Sequence, residues 1–293
     1  MSNKNLHLAM KNKKDEFFTM YEDIEKEMCN YTDKLIGKII YCSCDDYRVS
    51  NFYKYFKDNF KNLKLKEIIC TCYIEDNGGL GVKYNGLEEK TFFLNSGDFR
   101  NEECVDMLKK ADVVVTNPPF SLFRDFVDIL TVYNKDFIII GNMNAITYKN
   151  VFPLIKNNKI FIGKNSVKNF VSTDGNIKKF GNILWYTTFN IKENTSLVLT
   201  ENYTSDKFVT YTNYDAINVD KIKDIPKDYY GKIGVPITFL CKYNPKQFEI
   251  IGHEHDINGN GGVGLKEGEF KVNDKGKYKR IIIRRIKEGR NEQ

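Results

Sequence analysis

Asn117-Pro118-Pro119-Phe120 is the stretch of this 293-residue chain best suited to chemistry. A residue before proline is held extended, and neither proline has an N–H to donate. The backbone there is stiff and rich in carbonyl acceptors, with the Asn117 side chain pointing out of the preceding strand end. An aromatic ring follows three positions later. The Asn117 amide oxygen and the Pro118 carbonyl thus form a pair of acceptors beside a flat apolar surface. A planar ring bearing an amino group suits that array, because its two N–H donors meet the two acceptors while Phe120 stacks on its face. Accepting both protons frees the amino lone pair to act as a nucleophile, through preorganised electrostatics and without a general base. The matching electrophile is a bound methyl sulfonium, with in-line transfer helped mostly by positioning. The plainer reading of Asn-Pro is a turn. Its place after a buried strand, with Asp45 and Asp98 at two other strand ends, favours chemistry.

The elements that must position this tetrapeptide alternate in kind. Asp15 to about Asn30 reads as a helix, with Phe17, Phe18, Tyr21, Ile24 and Met28 near a helical period. Residues 37–42 read as a first strand. Ser50 to Leu63 reads as an amphipathic helix with Ser50 as N-cap and Phe52, Tyr55, Phe56 and Phe60 inward. Residues 65–73 form a second strand, broken after it by Gly78-Gly79. Residues 90–94 form a third, ending at Ser96-Gly97-Asp98. A helix over 104–110 leads to a fully apolar fourth strand, 111–116, which runs straight into Asn117. A helix over 121–132 and a fifth strand over 136–141 complete the alternation. This pattern predicts an α/β fold with a parallel sheet covered by helices on both faces. Ligands of such sheets lie outside the C-terminal strand ends. The loops at Cys44–Asp46, Asp98-Phe99 and Asn117–Phe120 are therefore the expected site.

Composition narrows the class. Hydrophobic residues at 41% and charged residues at 29% describe an ordinary globular chain and not a disordered one. No apolar run approaches the ~18 residues a membrane helix needs, and the first residues lack the apolar core of a secretory signal. Forty-five basic against 39 acidic residues leave a net charge of +6. A net +6 also lies in residues 275–293, where Lys275, Lys277, Lys279, Arg280, Arg284, Arg285, Lys287 and Arg290 face only Glu288 and Glu292. That local surplus predicts contact with a polyanion, the alternative being a solvated basic terminal strand.

Seven cysteines form no disulfide framework. Cys42 with Cys44, and Cys70 with Cys72, share strand faces, but one intervening residue is too few for the usual zinc spacing. Small buried hydrophobes is the better reading. His253-Glu254-His255-Asp256 is expected in a solvent-exposed or phosphate-near loop and not at a metal. Trp185 is expected in the core.

At this point the chain is seen to resemble the EcoRI-type adenine-specific DNA methyltransferases. The resemblance is carried in order by KKDEFFT (13–19), GKIIYCSCDDYRVSNFYKYFKDNF (37–60), LKEIICTCY (65–73), GDFR (97–100), ADVVVTNPPFSLFRDFV (111–127), FIIIGNMNAITYKNVFPLIKNNKIFIG (137–163), FGNILWYTT (180–188), YDAINVDKIKDIPKDYYGKIGVPITFL (214–240) and KYNPKQFEIIG (242–252). Asn-Pro-Pro-aromatic alone is shared with methyltransferases of RNA and of protein glutamine, so the accompanying segments carry the DNA assignment.

The resemblance implies a Rossmann-like sheet that binds S-adenosyl-L-methionine within residues 1–190, and a smaller C-terminal DNA-recognition region over 191–293. It implies methyl transfer to N6 of an adenine flipped from double-stranded DNA. Asn117, Pro118, Pro119 and Phe120 would hold the base. Phe18, Thr19, Cys44, Asp45, Asp46, Asp98, Phe99 and Asn117 would meet the cofactor. Arg124, Lys279, Arg280, Arg284 and Arg285 would meet DNA. No metal and no obligatory protein partner are expected. The enzyme would act in the cytoplasm at the nucleoid, paired in function with a restriction endonuclease or else solitary or phage-borne. One departure is the missing glycine-rich loop after the first strand, which leaves Asp45 and Asp46 as alternatives; Glu75 is a weak candidate for the ribose. Two rival readings stay open: an RNA adenine methyltransferase, and a non-catalytic DNA-binding protein on the same scaffold.

Overall fold

A computed structural model of the protein describes residues 17–74, 78–172, 176–191, 196–254 and 269–287. The chain forms two compact units, residues 1–151 with 160–191, and residues 152–159 with 192–293.

In the first unit the elements run β1 (Phe17–Thr19), α1 (Tyr21–Met28), α2 (Thr32–Leu35), β2 (Ile39–Ser43), α3 (Asn51–Asp58), β3 (Glu67–Ile74), β4 (Gly78–Tyr84), β5 (Glu89–Leu94), α4 (Glu102–Lys110), β6 (Val113–Thr116), α5 (Phe123–Val132) and β7 (Asp136–Asn142). The short α6 (Phe152–Lys156) belongs to the second unit, and β8 (Phe161–Ser172) and β9 (Ile177–Thr187) return to the first. All nine strands make one sheet in the order β1-β8-β9-β7-β6-β2-β3-β4-β5.

The sheet is mixed, which corrects the all-parallel expectation. Strands β3, β2, β6 and β7 are parallel, and every other pairing is antiparallel. The four parallel strands are the continuous apolar runs of the sequence, with Val113–Thr116 buried at every position, as strands covered on both sides must be. Gly78-Gly79 does not break the pattern but opens β4, which turns back along β3. Glycine is required there because a Cβ on Gly79 would overlap Gly97, and one on Gly97 would overlap the Cys72 carbonyl. The first predicted helix also starts later: Phe17 and Phe18 lie in β1, paired with Ser172 and Val171 of β8.

The helix α3 forms as its sequence indicates. Ser50 caps it by accepting from the Tyr53 N–H, and Phe52, Tyr55 and Phe56 fall on one buried face. Trp185 is fully buried, edge-on to Phe52. Glu27 of α1 is also fully buried. It accepts the Tyr31 hydroxyl, the backbone N–H groups of Lys164 and Asn165, and the Asn165 side-chain amide. Those bonds stabilise β8 where its register with β9 shifts.

The second unit holds a four-stranded sheet of β10 (Ile217–Asn218), β11 (Ile233–Pro236), β15 (Arg280–Arg285) and β12 (Phe248–His253), with a hairpin of β13 (Phe270–Val272) and β14 (Lys275–Lys277). Within the basic tail, Arg280–Arg285 therefore form an internal strand of this sheet and not a solvated one. Ile281, Ile282 and Ile283 are fully buried at its centre. His253 and Glu254 are buried too, against expectation: His253 meets Phe152 edge-on at 4.1 Å, and Glu254 accepts the Arg280 N–H. His255, Asp256 and Glu75 lie outside the described residues. No helix among the described residues is long and apolar enough to cross a membrane.

Candidate active site

The C-terminal ends of the sheet strands surround a cavity of about 580 Å³. Four chain segments build its wall: Phe18 and Thr19 of β1, Cys44–Asp46 after β2, Gly97–Arg100 after β5, and Asn117 with Pro119 after β6. Cys72 and Tyr73 of β3, Asn51 and Phe52 of α3, and Ser121 with Leu122 complete it. All eight residues expected near a cofactor fall on this wall. Of the tetrapeptide, Asn117 and Pro119 line it. Pro118 is buried, and Phe120, 8% exposed, packs edge-on against Phe170 in the core.

The turn after β2 is made without the glycine usual in such loops. Cys44 adopts φ 63°, a left-handed conformation that glycine takes without cost. Burial pushes its thiol, and those of Cys42 and Cys70, well above the ordinary range, so all three remain protonated.

The two neighbouring acids of that loop are used differently. Asp46 is taken up by Arg48, whose backbone N–H, Nε and Nη2 reach its two oxygens at 2.6–3.1 Å. Arg48 holds its carboxyl below the usual range. Asp45 instead accepts two hydroxyls, from Ser50 at 2.9 Å and from Thr116. Thr116 is fully buried, reaches the Ser43 carbonyl as well, and immediately precedes Asn117. Asp45 is therefore the hub joining the end of β2 to the cap of α3 and to the end of β6.

Asp98 repeats the Asp46 arrangement. Arg100 donates its backbone N–H, Nε and Nη2 to Asp98 and holds that carboxyl low. Its Nη1 reaches Asp125 of α5 at 3.1 Å, and Phe99 meets Phe126 edge-on at 4.9 Å. The Asp98 loop is thereby docked on the helix that follows Asn117. On the opposite side, the Asn51 side chain donates to the Thr19 carbonyl at 2.8 Å. The Thr19 hydroxyl is buried at the cavity wall and has no hydrogen-bond partner among the described residues.

A model of the family described as adenine-specific methyltransferase EcoRI matches residues 5–93 and 82–286. The chain belongs to that family. It is 43% identical over 323 residues to the Type II methyltransferase M.EcoRI of Escherichia coli, covering 97% of each chain. The Type II methyltransferase M.MgeORF184P of Mycoplasma genitalium is 35% identical over 310 residues, with 94% of this chain and 97% of that protein covered. M.MpnI of Mycoplasma pneumoniae is 36% identical over 268 residues, 83% of each. No solved structure matches the chain.

For a member of the EcoRI methyltransferase family, eight wall residues lie outside the site named from the sequence: Asn51, Phe52, Cys72, Tyr73, Gly97, Arg100, Ser121 and Leu122. Nothing in the local sequence marks Asn51, which follows the Ser50 cap, or Gly97 as a ligand contact. The repeated spacing Asp46-x-Arg48 and Asp98-x-Arg100 was the available signal, since an acid two residues before an arginine can close such a bracket. The basic residues divide. Arg124 is exposed on α5, whereas in the second unit Arg280 is buried with its head group on Asp220. Arg284 pairs with Glu249 at 3.0 Å, Arg285 lies 5.0 Å from the Tyr230 ring, and Lys279 lies 5.9 Å from that of Tyr278.

Proposed function

We propose that this protein transfers a methyl group from S-adenosyl-L-methionine to the exocyclic N6 of an adenine extruded from duplex DNA. The observation that carries this reading is the placement of Asn117 on one cavity wall with Asp45 and Asp98, in a chain of the adenine-specific family. Four parallel strands beside antiparallel β9 support a Rossmann-like unit. The second unit would serve DNA recognition.

The residues present fit the cofactor. A cavity of about 580 Å³ is of ligand-pocket size. Asp45 would take the ammonium end, because Asp46 is spent on Arg48. The unsatisfied Thr19 hydroxyl is a donor for the neighbouring carboxylate. Asp98 retains acceptor capacity on Oδ2, which takes only the Arg100 Nη2, enough for one N–H of the adenosine end. Once bound, the cofactor supplies an electrophilic methyl group on sulfur.

The rest is done by this chain's own residues. The Asn117 side-chain oxygen and the Pro118 carbonyl accept the two amino protons of the target adenine, directing its lone pair outward. Phe120, fixed against Phe170, keeps that acceptor pair in place. Extruding the base costs a few kcal/mol, which contacts with the DNA backbone must offset. In the cell we place the enzyme in the cytoplasm, as the protective half of a restriction–modification pair.

The test is direct. Purified protein is incubated with methyl-labelled S-adenosylmethionine and unmethylated bacterial DNA, and the DNA is digested to nucleosides. Label in N6-methyldeoxyadenosine is the expected result. Label in a methylcytosine, or equal labelling of RNA supplied in parallel, would overturn the assignment.

A further inference from the structure

Three arginines belong to the segments that build the cavity, and they are held in two different ways. Arg48 and Arg100 have their forks closed on Asp46 and on Asp98 with Asp125. Arg124 lies two residues beyond Leu122 of the cavity wall, and no carboxylate pairs with it among the described residues. Its guanidinium carbon sits 4.2 Å from the centroid of the Tyr148 ring, well within cation–π range.

The acids that could have neutralised Arg124 are engaged elsewhere. Asp125 receives Arg100, and Asp128, one helical turn on, receives the Asn150 side chain at 2.8 Å. An i,i+4 ion pair was geometrically available and is not made. Asn150 also donates to the Arg124 carbonyl at 3.0 Å, which pins the loop carrying Tyr148 to α5 independently of the stack. A planar cation thus sits over an aromatic ring on an exposed residue, and among the described residues no carboxylate takes its donors. Stacking spends the π face of guanidinium and leaves its N–H edge for a ligand. A doubly acceptor-rich, planar-matching anion such as a phosphodiester is the chemistry that edge fits.

We infer that Arg124 on Tyr148 is a phosphodiester-binding site beside the candidate active site, taking a backbone phosphate of the DNA substrate. The inference rests on the reading of DNA as substrate and names the contact that holds the duplex at the methylation centre. Phosphate contacts fix register without reading sequence. One placed next to the tetrapeptide holds the strand while a base leaves the stack, offsetting part of the extrusion cost.

The experiment uses the full chain with a fluorescent, unmethylated duplex of a sequence the wild type methylates, titrated across a series of salt concentrations. Arg124→Gln should weaken binding roughly tenfold or more. It should also lower the slope of log affinity against log salt by about 0.9, the share of one phosphate. Arg124→Lys should keep the wild-type slope, and Tyr148→Leu should keep it while losing a few-fold in affinity. The KM for S-adenosylmethionine should not move in any variant. Wild-type affinity and slope in Arg124→Gln would overturn the inference. Because the slope reports charge neutralisation, it separates a phosphate contact from a loss of helix stability. If the wild type itself fails to methylate DNA, the functional reading falls; if it methylates and Arg124→Gln is unchanged, only this inference falls.

Discussion

Strand β15 and the rim of the cavity both pair arginine with aspartate, yet they use the pair in different ways. In β15 the Arg280 side chain is 8% exposed and closes on Asp220, while the neighbouring isoleucines fill the core. At the rim, Arg48 and Arg100 are about half exposed and close on acids that border the cavity. A buried arginine cannot lose its acid without leaving a charge stranded, whereas an exposed pair contributes little stability and mainly fixes geometry. Net charge along the sequence could not reveal this difference. One arginine of the tail that supplied the whole surplus, Arg280, is buried in its own sheet, and a charge that counted for little, Arg124, stands without an acid partner among the described residues.

The largest effect that sharpens the contrast is expected at Asn117. Asn117→Ala removes one of the two acceptors for the amino group, and transfer should fall by about 10²–10³-fold or more. Thermal stability and DNA affinity should stay near wild type, because Asn117 lines the cavity wall. Near-normal turnover by the labelled-methyl assay would remove the tetrapeptide from the chemistry.

Next comes the pair of Arg280 with Asp220, in which the arginine is the buried partner. Asp220→Ala should destabilise the protein by about 3 kcal/mol, since it strands the Arg280 charge in a buried position. Arg280→Met should cost less, because Asp220 is 55% exposed and keeps its water when the arginine is gone. Urea unfolding monitored by the near-ultraviolet signal of the buried aromatics reads both. If the order were reversed, Arg280 would be acting through packing and not through its charge. Arg284→Gln supplies the control on the same strand. Its pair with Glu249 leaves both side chains more than 40% exposed, so the change in stability should stay within about 0.5 kcal/mol.

The rim and β15 also differ in how far the amino-acid sequence alone reveals them. The four parallel strands were readable because strands buried on both faces are forced to be apolar throughout, and Val113–Thr116 leaves no other reading. The cavity's position followed from those strand ends, and the loops at Cys44, Asp98 and Asn117 do meet there. Strand β4 was not legible, because its two opening glycines signal a turn in isolation. Only the closeness of Gly79 to Gly97, set by chain packing, makes them strand residues. The role of β15 was hidden for a related reason. Ile281–Ile283 spells a core strand, but the surrounding arginines dominate any count of charge. Which acid each arginine meets is a tertiary fact: Asp220 lies 60 residues from Arg280. The short brackets Asp46–Arg48 and Asp98–Arg100 are local, and those alone could have been anticipated from spacing.

The smallest effect expected is also the most specific to the rim. Arg100 holds the Asp98 carboxyl below its ordinary range through a direct hydrogen bond. A carboxyl whose folded-state pKa is depressed contributes stability above its unfolded pKa, near 4, and loses that contribution as the pH falls through the folded value. Arg100→Gln should therefore flatten the decline in stability between about pH 5 and pH 2 while changing little at neutral pH, where the half-exposed pair is worth less than about 1 kcal/mol. The same substitution unties the Asp98 loop from Asp125 on α5, so the KM for S-adenosylmethionine should rise at neutral pH even though the fold is intact. Urea midpoints across that pH range, set beside cofactor titrations, separate the two consequences. A large loss of stability at pH 7 would make the Arg100 bracket structural in the sense of Arg280, and the distinction between the rim and β15 would fail.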